Sequence, residues 1–205
     1  MVSALDAVNY CHMQNMPTKL NLGCGEDKKE GFLNVDWTVL VKPDLVCDLN
    51  TLPYPFPDNT FEYIEASHVL EHLERPFAIM KELHRILVPQ GVLNVKVPHF
   101  SRGMTHPEHS HGFDVTLPKY FDRTCLRWGY FGVDFKVRKV ELHWMAFQHL
   151  LPYMGYGRVT LWLLSIINRI INFVAKISPA FASRIWCFWV GGFEEIEFEF
   201  EAIKE

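Results

Sequence analysis

Three groups of residues in this 205-residue chain have types and spacings that could do chemistry. The first is Gly23-Cys24-Gly25, followed by two acids, Asp36 and Asp48. Glycines at a turn let the backbone approach a ligand closely, and a carboxylate shortly after can accept hydrogen bonds from both hydroxyls of a ribose. A dinucleotide fingerprint would want a third glycine three residues after Gly25 and an acid about 20 residues on. Here position 28 is lysine and Asp36 arrives early, so a pyrophosphate ligand is disfavoured and an adenosyl ligand without phosphates stays open. Cys24 has no base near it in sequence and reads as a small packing residue.

The second group is His68-Val69-Leu70-Glu71-His72, which fits the H-x-x-E-H zinc motif and so carries a zinc-hydrolase alternative through His68, Glu71 and His72. That motif belongs inside a long helix, whereas here it follows an apolar run directly and Arg75-Pro76 opens a new element. The third group is the loop "PHFSRGMTHPEHSHGFD", with His99, His106, His109, His111, Glu108 and Asp114. Side chains of this kind suit contact with a polar substrate, a base near neutral pH, a divalent metal, or simply loop structure. His99 and His106 are the candidate catalytic residues, and no metal ligand set is assigned.

Something must hold these groups at one edge. "KLNLG" reads as a buried strand closed by glycine, and "GFLNVDW" and "PDLVCDL" as two more short strands, each ending in an acid. In a parallel α/β sheet the carboxyl ends of strands are where ligands sit. Prolines 53, 55 and 57 make an extended link with a turn at Pro57-Asp58-Asn59, after which Phe61–Ala66 reads as a fourth strand. Ile79, Leu83, Ile86 and Leu87 recur at helical spacing behind Pro76, up to a stop at "VPQG"; "VLNVKVP" is a fifth strand. "FKVRKVEL" reads as a further strand. "EEIEFEFEAIKE" alternates strictly, with Glu195, Glu197, Glu199 and Glu201 expected on a solvated face that Lys136 and Arg138 could offset.

The chain is long enough for one self-sufficient core, and a formal net charge of -4 gives no electrostatic reason to expect nucleic acid. Five cysteines without C-x-x-C spacing suggest a reducing compartment. The N-terminal "MVSALDAVNYCHMQN" has no basic region before an apolar run, so a cytoplasmic protein is expected.

The runs "LNLGCG", "NVDW", "CDLNTLPYPFPDNTFEYIEASHVLEHL" and "LHRILVPQGVLNVKVPHF" together resemble the class I S-adenosylmethionine-dependent methyltransferases, in particular the small bacterial and archaeal type 11 kind, over about residues 18–100. The resemblance implies a Rossmann-like α/β fold: a seven-stranded, mostly parallel sheet with helices on both faces, an antiparallel last strand and a helical insertion before it. It also implies S-adenosyl-L-methionine as cofactor and methyl transfer to a small molecule, such as a sugar or envelope-related metabolite. By position it assigns Leu22, Gly23, Cys24 and Gly25 to the turn against the methionine part, Asp36 to the ribose and Asp48 with Leu49 to the adenine edge. Ser67 and His68 fall beside the amino-acid moiety and the transferred methyl. Only ten residues separate Gly25 from Asp36, so the family's first helix is expected to be very short or absent.

One domain over 1–205 is expected, with a cofactor half at about 17–100, a substrate half at about 101–205 and a helical insertion at about 145–190. A non-catalytic S-adenosylmethionine-binding or membrane-surface module is the alternative of a different class. Within the insertion, Val159–Ile177 is too interrupted by Asn168, Arg169, Asn172 and Lys176 to be read as a span. Two readings stay open for it: a core-facing or homodimer-forming helix, and a membrane-surface helix or lid over a lipid-like substrate, which would make the protein peripheral to a membrane.

Overall fold

The computed structural model describes residues 17–103 and 105–204, so Cys11 and the N-terminal stretch read above lie outside the described residues. Seven strands form one sheet: β1 (Lys19–Leu22), β2 (Leu33–Asp36), β3 (Leu45–Val46), β4 (Phe61–Ser67), β5 (Leu87–Pro98), β6 (Asp134–His143) and β7 (Glu195–Ile203). Their order is β3-β2-β1-β4-β5-β7-β6. β1 to β5 are parallel, and β7 runs antiparallel to both β5 and β6. The expected mostly parallel, seven-stranded Rossmann-like sheet is what forms. One face of its centre is apolar throughout, with Leu20, Leu22, Leu33, Val35, Ile64, Ala66, Leu93 and Val95 in register and sealed from solvent, while the other face carries the buried amides of Asn21, Asn34 and Asn94.

Helix α1 (Pro76–Ile86) starts with proline in its first turn, where the missing N–H costs nothing, and buries Ile79, Met80, Leu83 and Ile86. The helix stops at Ile86, just before "VPQG" as expected, and β5 begins at once at Leu87, with Gln90 at φ 64° before Gly91. The Gly25-to-Asp36 connection contains no helix. Amide side chains close it instead: Asn21 donates to Asn34 Oδ1 (3.0 Å) and to the Asp27 carbonyl (2.9 Å), while Lys29 N–H donates to Asn34 Oδ1 (2.8 Å). These asparagines are buried, so each bond replaces solvent the loop would otherwise need.

One expectation is extended and one corrected. β7 lies between β5 and β6, so Arg138 is placed to offset its acids as expected, and the acidic face is half-buried rather than fully solvated. Its glutamates are drawn into partnerships across the sheet, Glu197 accepting from Asn94 (2.8 Å) and Glu201 from Arg138 (2.9 Å). The insertion carries α3 (Arg158–Ile177) and α4 (Pro179–Arg184), preceded by a short α2 (Phe100–Gly103) at the end of β5. α3 is not core-facing through its apolar stripe: Asn168, Ile171 and Ala175 are its buried residues, and most of its aliphatic and aromatic side chains are exposed.

Candidate active site

The carboxyl ends of β1, β2, β3 and β4 converge on the glycine turn. Gly23 has φ +64°, and a Cβ there would sit 2.5 Å from Val69 Cγ2, so conformation and packing both require glycine. Gly25 has φ +50° and open space where a Cβ would be. Its N–H donates to Asp36 Oδ2 (2.9 Å), while Thr38 N–H donates to Asp36 Oδ1 (3.1 Å). Asp36 is thereby fixed at the end of β2, and each oxygen keeps a lone pair for a further donor.

Beside this turn lies a cavity of about 520 Å³ lined by Trp37, Asp48, Leu49, Asn50, His68, Val69, His72, Leu73 and Glu108. Trp37, Leu49, Val69 and Leu73 give it an apolar wall that suits a flat ring, the rest of the lining is polar, and Asp48 is held as an acceptor by Asn50 N–H (3.0 Å) and Thr51 Oγ (2.8 Å). Of the residues assigned to the cofactor from sequence, Asp48, Leu49 and His68 line this cavity, Gly23, Cys24, Gly25 and Asp36 form the adjoining turn, and Leu22 and Ser67 end β1 and β4. A glycine with open space, a carboxylate with spare lone pairs and an apolar slot fit an adenosyl group. Cys24 is buried, and burial raises its thiol pKa, in keeping with a packing role.

A second cavity, of about 660 Å³, is lined by His68, Pro98, Ser101, Arg102, Gly103, Thr105, His106, His109, Phe147 and Glu194. His68 is shared by both. It sits just past β4 at φ 54°, its Nδ1 3.2 Å from Glu71 and its Nε2 2.8 Å from Glu195, with the Phe147 ring centroid 5.3 Å away. Burial alone would lower the His68 pKa, but the hydrogen bonds and charges of Glu195 and Glu71 outweigh it and push it up to about 9. An imidazolium with both N–H groups donated to carboxylates is therefore the state at neutral pH. His68 and His72 do not share a helix, since the intervening element is a single 3-10 turn at Leu70–His72, and this removes the context of the zinc-protease motif.

The histidine loop divides. His99 is corrected as a candidate base: it is sealed from solvent, Nδ1 bonded to Ser101 Oγ (2.7 Å) and Nε2 to Ser183 Oγ (2.8 Å). Ser101 N–H also points at Nδ1 (3.3 Å), so the ring is neutral with its proton on Nε2, and burial pulls its pKa down to about 4. His106 does line the second cavity, but its Nδ1 accepts from Glu108 N–H (3.3 Å), which leaves the neutral ring a donor at Nε2. His109, not singled out from sequence, has the complementary arrangement: its Nδ1–H donates to the Gly103 carbonyl, leaving Nε2 with a free lone pair at the same cavity. Glu71, His72 and His109 bring one ligand-type atom each within 4.8 Å of one another, and Glu71 Oε2 is buried without a hydrogen bond among the described residues.

Sequence reasoning missed Glu195 because it treated the β7 acids alike. An antiparallel strand starts at the edge where its parallel neighbours end, so its first residue falls beside their ligand ends; Glu195 pairs with Pro98 of β5 and His143 of β6 there.

Residues 20–95 match the family described as a methyltransferase domain. An uncharacterized methyltransferase of Schizosaccharomyces pombe is 38% identical over 58 residues, 28% of this chain and 21% of that protein, so the chain spans about a fifth of the curated relative it matches. Among solved structures, an S-adenosylmethionine-dependent methyltransferase from Archaeoglobus fulgidus superposes with TM-score 0.53 at 17% identity over 95% of this chain and 89% of that one. The cyclase SpnF superposes with TM-score 0.55 at 14% identity over 98% and 80%. In its methyltransferase-domain match and in its fold the chain is similar to the class I S-adenosylmethionine-dependent methyltransferases. S-adenosylmethionine is the cofactor of that class.

Proposed function

We propose that this protein transfers the methyl group of S-adenosylmethionine to an oxygen, nitrogen or carbon of a small polar acceptor, a sugar or an envelope-related metabolite. The observation that carries this reading is the meeting of the two cavities at one side chain, His68. Donor and acceptor seated in them would approach each other across that point. The bound cofactor supplies a methyl already activated by its positive sulfur. The chain's task is then to hold the two in line and keep water out, an effect worth several kcal/mol. Gly25 and Asp36 would hold the ribose end, Trp37, Asp48 and Leu49 the adenine, and Ser67 with the turn at Leu22–Cys24 the amino-acid end. His68, braced by Glu71 and Glu195, is the post between the compartments.

On the acceptor side, His109 Nε2 is the group we assign to take a proton from a hydroxyl or amine during attack, with His106 donating a hydrogen bond to the acceptor. The setting we propose is the cytoplasm, at the periphery of a membrane. A second reading, cofactor binding without methyl transfer, is favoured by the similarity of the fold to a cyclase.

Calorimetric titration with S-adenosylmethionine and S-adenosylhomocysteine tests the site. One-to-one binding that Asp36→Ala weakens by about 100-fold, the loss of two hydrogen bonds to a carboxylate, is the expected result. Binding unchanged in Asp36→Ala sinks the cofactor assignment. Turnover lost in His109→Ala with cofactor affinity intact separates methyl transfer from the second reading, which predicts no acceptor turnover in either protein.

A further inference from the structure

Helix α3 is inside out. Its polar side chains face the protein: Asn172 Oδ1 accepts from Trp144 N–H (2.8 Å) and Asn168 Oδ1 from Met145 N–H (3.0 Å), while Lys176 pairs with Glu141 (2.9 Å). Its apolar side chains face outward, with Trp162 63% and Phe173 69% exposed, and beyond α4 the patch continues through Trp189 at 76%. An isolated exposed leucine needs no explanation, but a continuous apolar face on a 20-residue helix does.

The charges around this face say what covers it. Residues 144–193 hold no Asp or Glu and four Lys or Arg, in a chain whose formal net charge is -4. Arg158, Arg169 and Lys176 are spaced 11 and 7 residues apart, which at 100° per residue puts them in one row along an edge of the apolar stripe. Arg158 and Arg169 make no ion pair among the described residues. A second copy is a poor occupant, because a two-fold interface sets the patch and its basic row against themselves with no acid in the segment to offset them. The helix is long and apolar enough to cross a membrane, yet its inward-facing Asn168 and Asn172 tie it along the domain. An apolar stripe, aromatic residues and a basic edge on a helix held parallel to the surface match a bilayer interface.

We propose that α3, with the segment through Trp189, is a docking surface for an anionic lipid bilayer, lying in the headgroup plane. The inference rests on this surface alone and stands whether or not methyl transfer is demonstrated. Co-sedimentation of the full chain with vesicles of phosphatidylcholine alone, and of phosphatidylcholine with about one third phosphatidylglycerol, tests it. The expected result is binding to the anionic vesicles that weakens as salt is raised, falls roughly 5-fold for each cation lost in Arg158→Gln and Arg169→Gln, and disappears in Trp162→Asp/Phe173→Asp. Circular dichroism and cofactor titration of the same variants should match the parent, since none of the four positions lines either cavity. Failure of the parent to bind anionic vesicles overturns the proposal, as does a stable dimer that Trp162→Asp/Phe173→Asp turns into monomers.

Discussion

His68 and His99 occupy equivalent places in the fold, each just past the carboxyl end of a central parallel strand, β4 and β5, and share little else. His68 stands between two cavities, gripped by two carboxylates, and is charged. His99 is plugged into the junction with α4, gripped by two serine hydroxyls, and is neutral. The same imidazole is thus a post at a ligand site and a bolt between structural layers. What decides is the acceptor chemistry of residues remote in sequence: Glu195 is 127 positions from His68, and Ser183 is 84 from His99.

The largest effect that can break this comparison is loss of the His68 charge. In His68→Gln, Glu71 and Glu195 are left without their cation, and stranding buried charge typically costs about 3–5 kcal/mol. Denaturant unfolding should show that loss, and a second substitution, Glu195→Gln, should restore part of it; an additive double variant would mean the pair is not coupled. Next is His99→Ala, which opens a cavity and orphans two hydroxyls for about 3 kcal/mol while leaving cofactor affinity unchanged. A weakened titration with S-adenosylhomocysteine in His99→Ala would return that residue to the site.

The two histidines also give stability opposite pH limbs. The folded His68 pKa, about 9, lies above the ordinary 6.5, so its contribution is full below pH 6.5 and is lost as pH rises through 9. The folded His99 pKa, about 4, lies below 6.5, so the unfolded chain takes up a proton that the folded chain refuses, and stability falls as pH drops from 6.5 towards 4. Each limb is worth at most about 3 kcal/mol, less at His68 through solvent screening. Melting temperature against pH should flatten on the alkaline side in His68→Gln and on the acid side in His99→Gln, and the reverse assignment would refute the charge states.

Much of the fold was legible because its signals are local. Short apolar runs ending in Gly23, Asp36 and Asp48 marked strand ends, Pro76 with its helical periodicity marked α1, and the spacing from Gly25 to Asp36 ruled out a full helix between them. What escaped depends on partners. Alternation shows which β7 residues share a face but not that the strand is interior, so Glu195 was invisible as a site residue. Periodicity finds the polar stripe of α3 but not that Asn168 and Asn172 turn inward to cap backbone N–H groups. Ser101 stands two residues from His99, but nothing nearby in sequence reveals that Ser183 closes its other nitrogen or that the Gly103 carbonyl orients His109.

The smallest change sharpens the comparison most. Ser183→Ala removes one oxygen and leaves the His99 Nε2–H buried with no acceptor, while Ser101 continues to hold Nδ1. An unmet buried donor costs about 1–3 kcal/mol, and a neutral pair sits at the lower end, so about 1 kcal/mol of stability should be lost with cofactor affinity unchanged. The corresponding deletion at the other histidine, Glu195→Gln, keeps the shape but removes a charge, and should lower the alkaline pKa of His68 as followed by NMR. If Ser183→Ala instead moved the His68 titration, the two strand ends would be one network, and the division between post and bolt would fail.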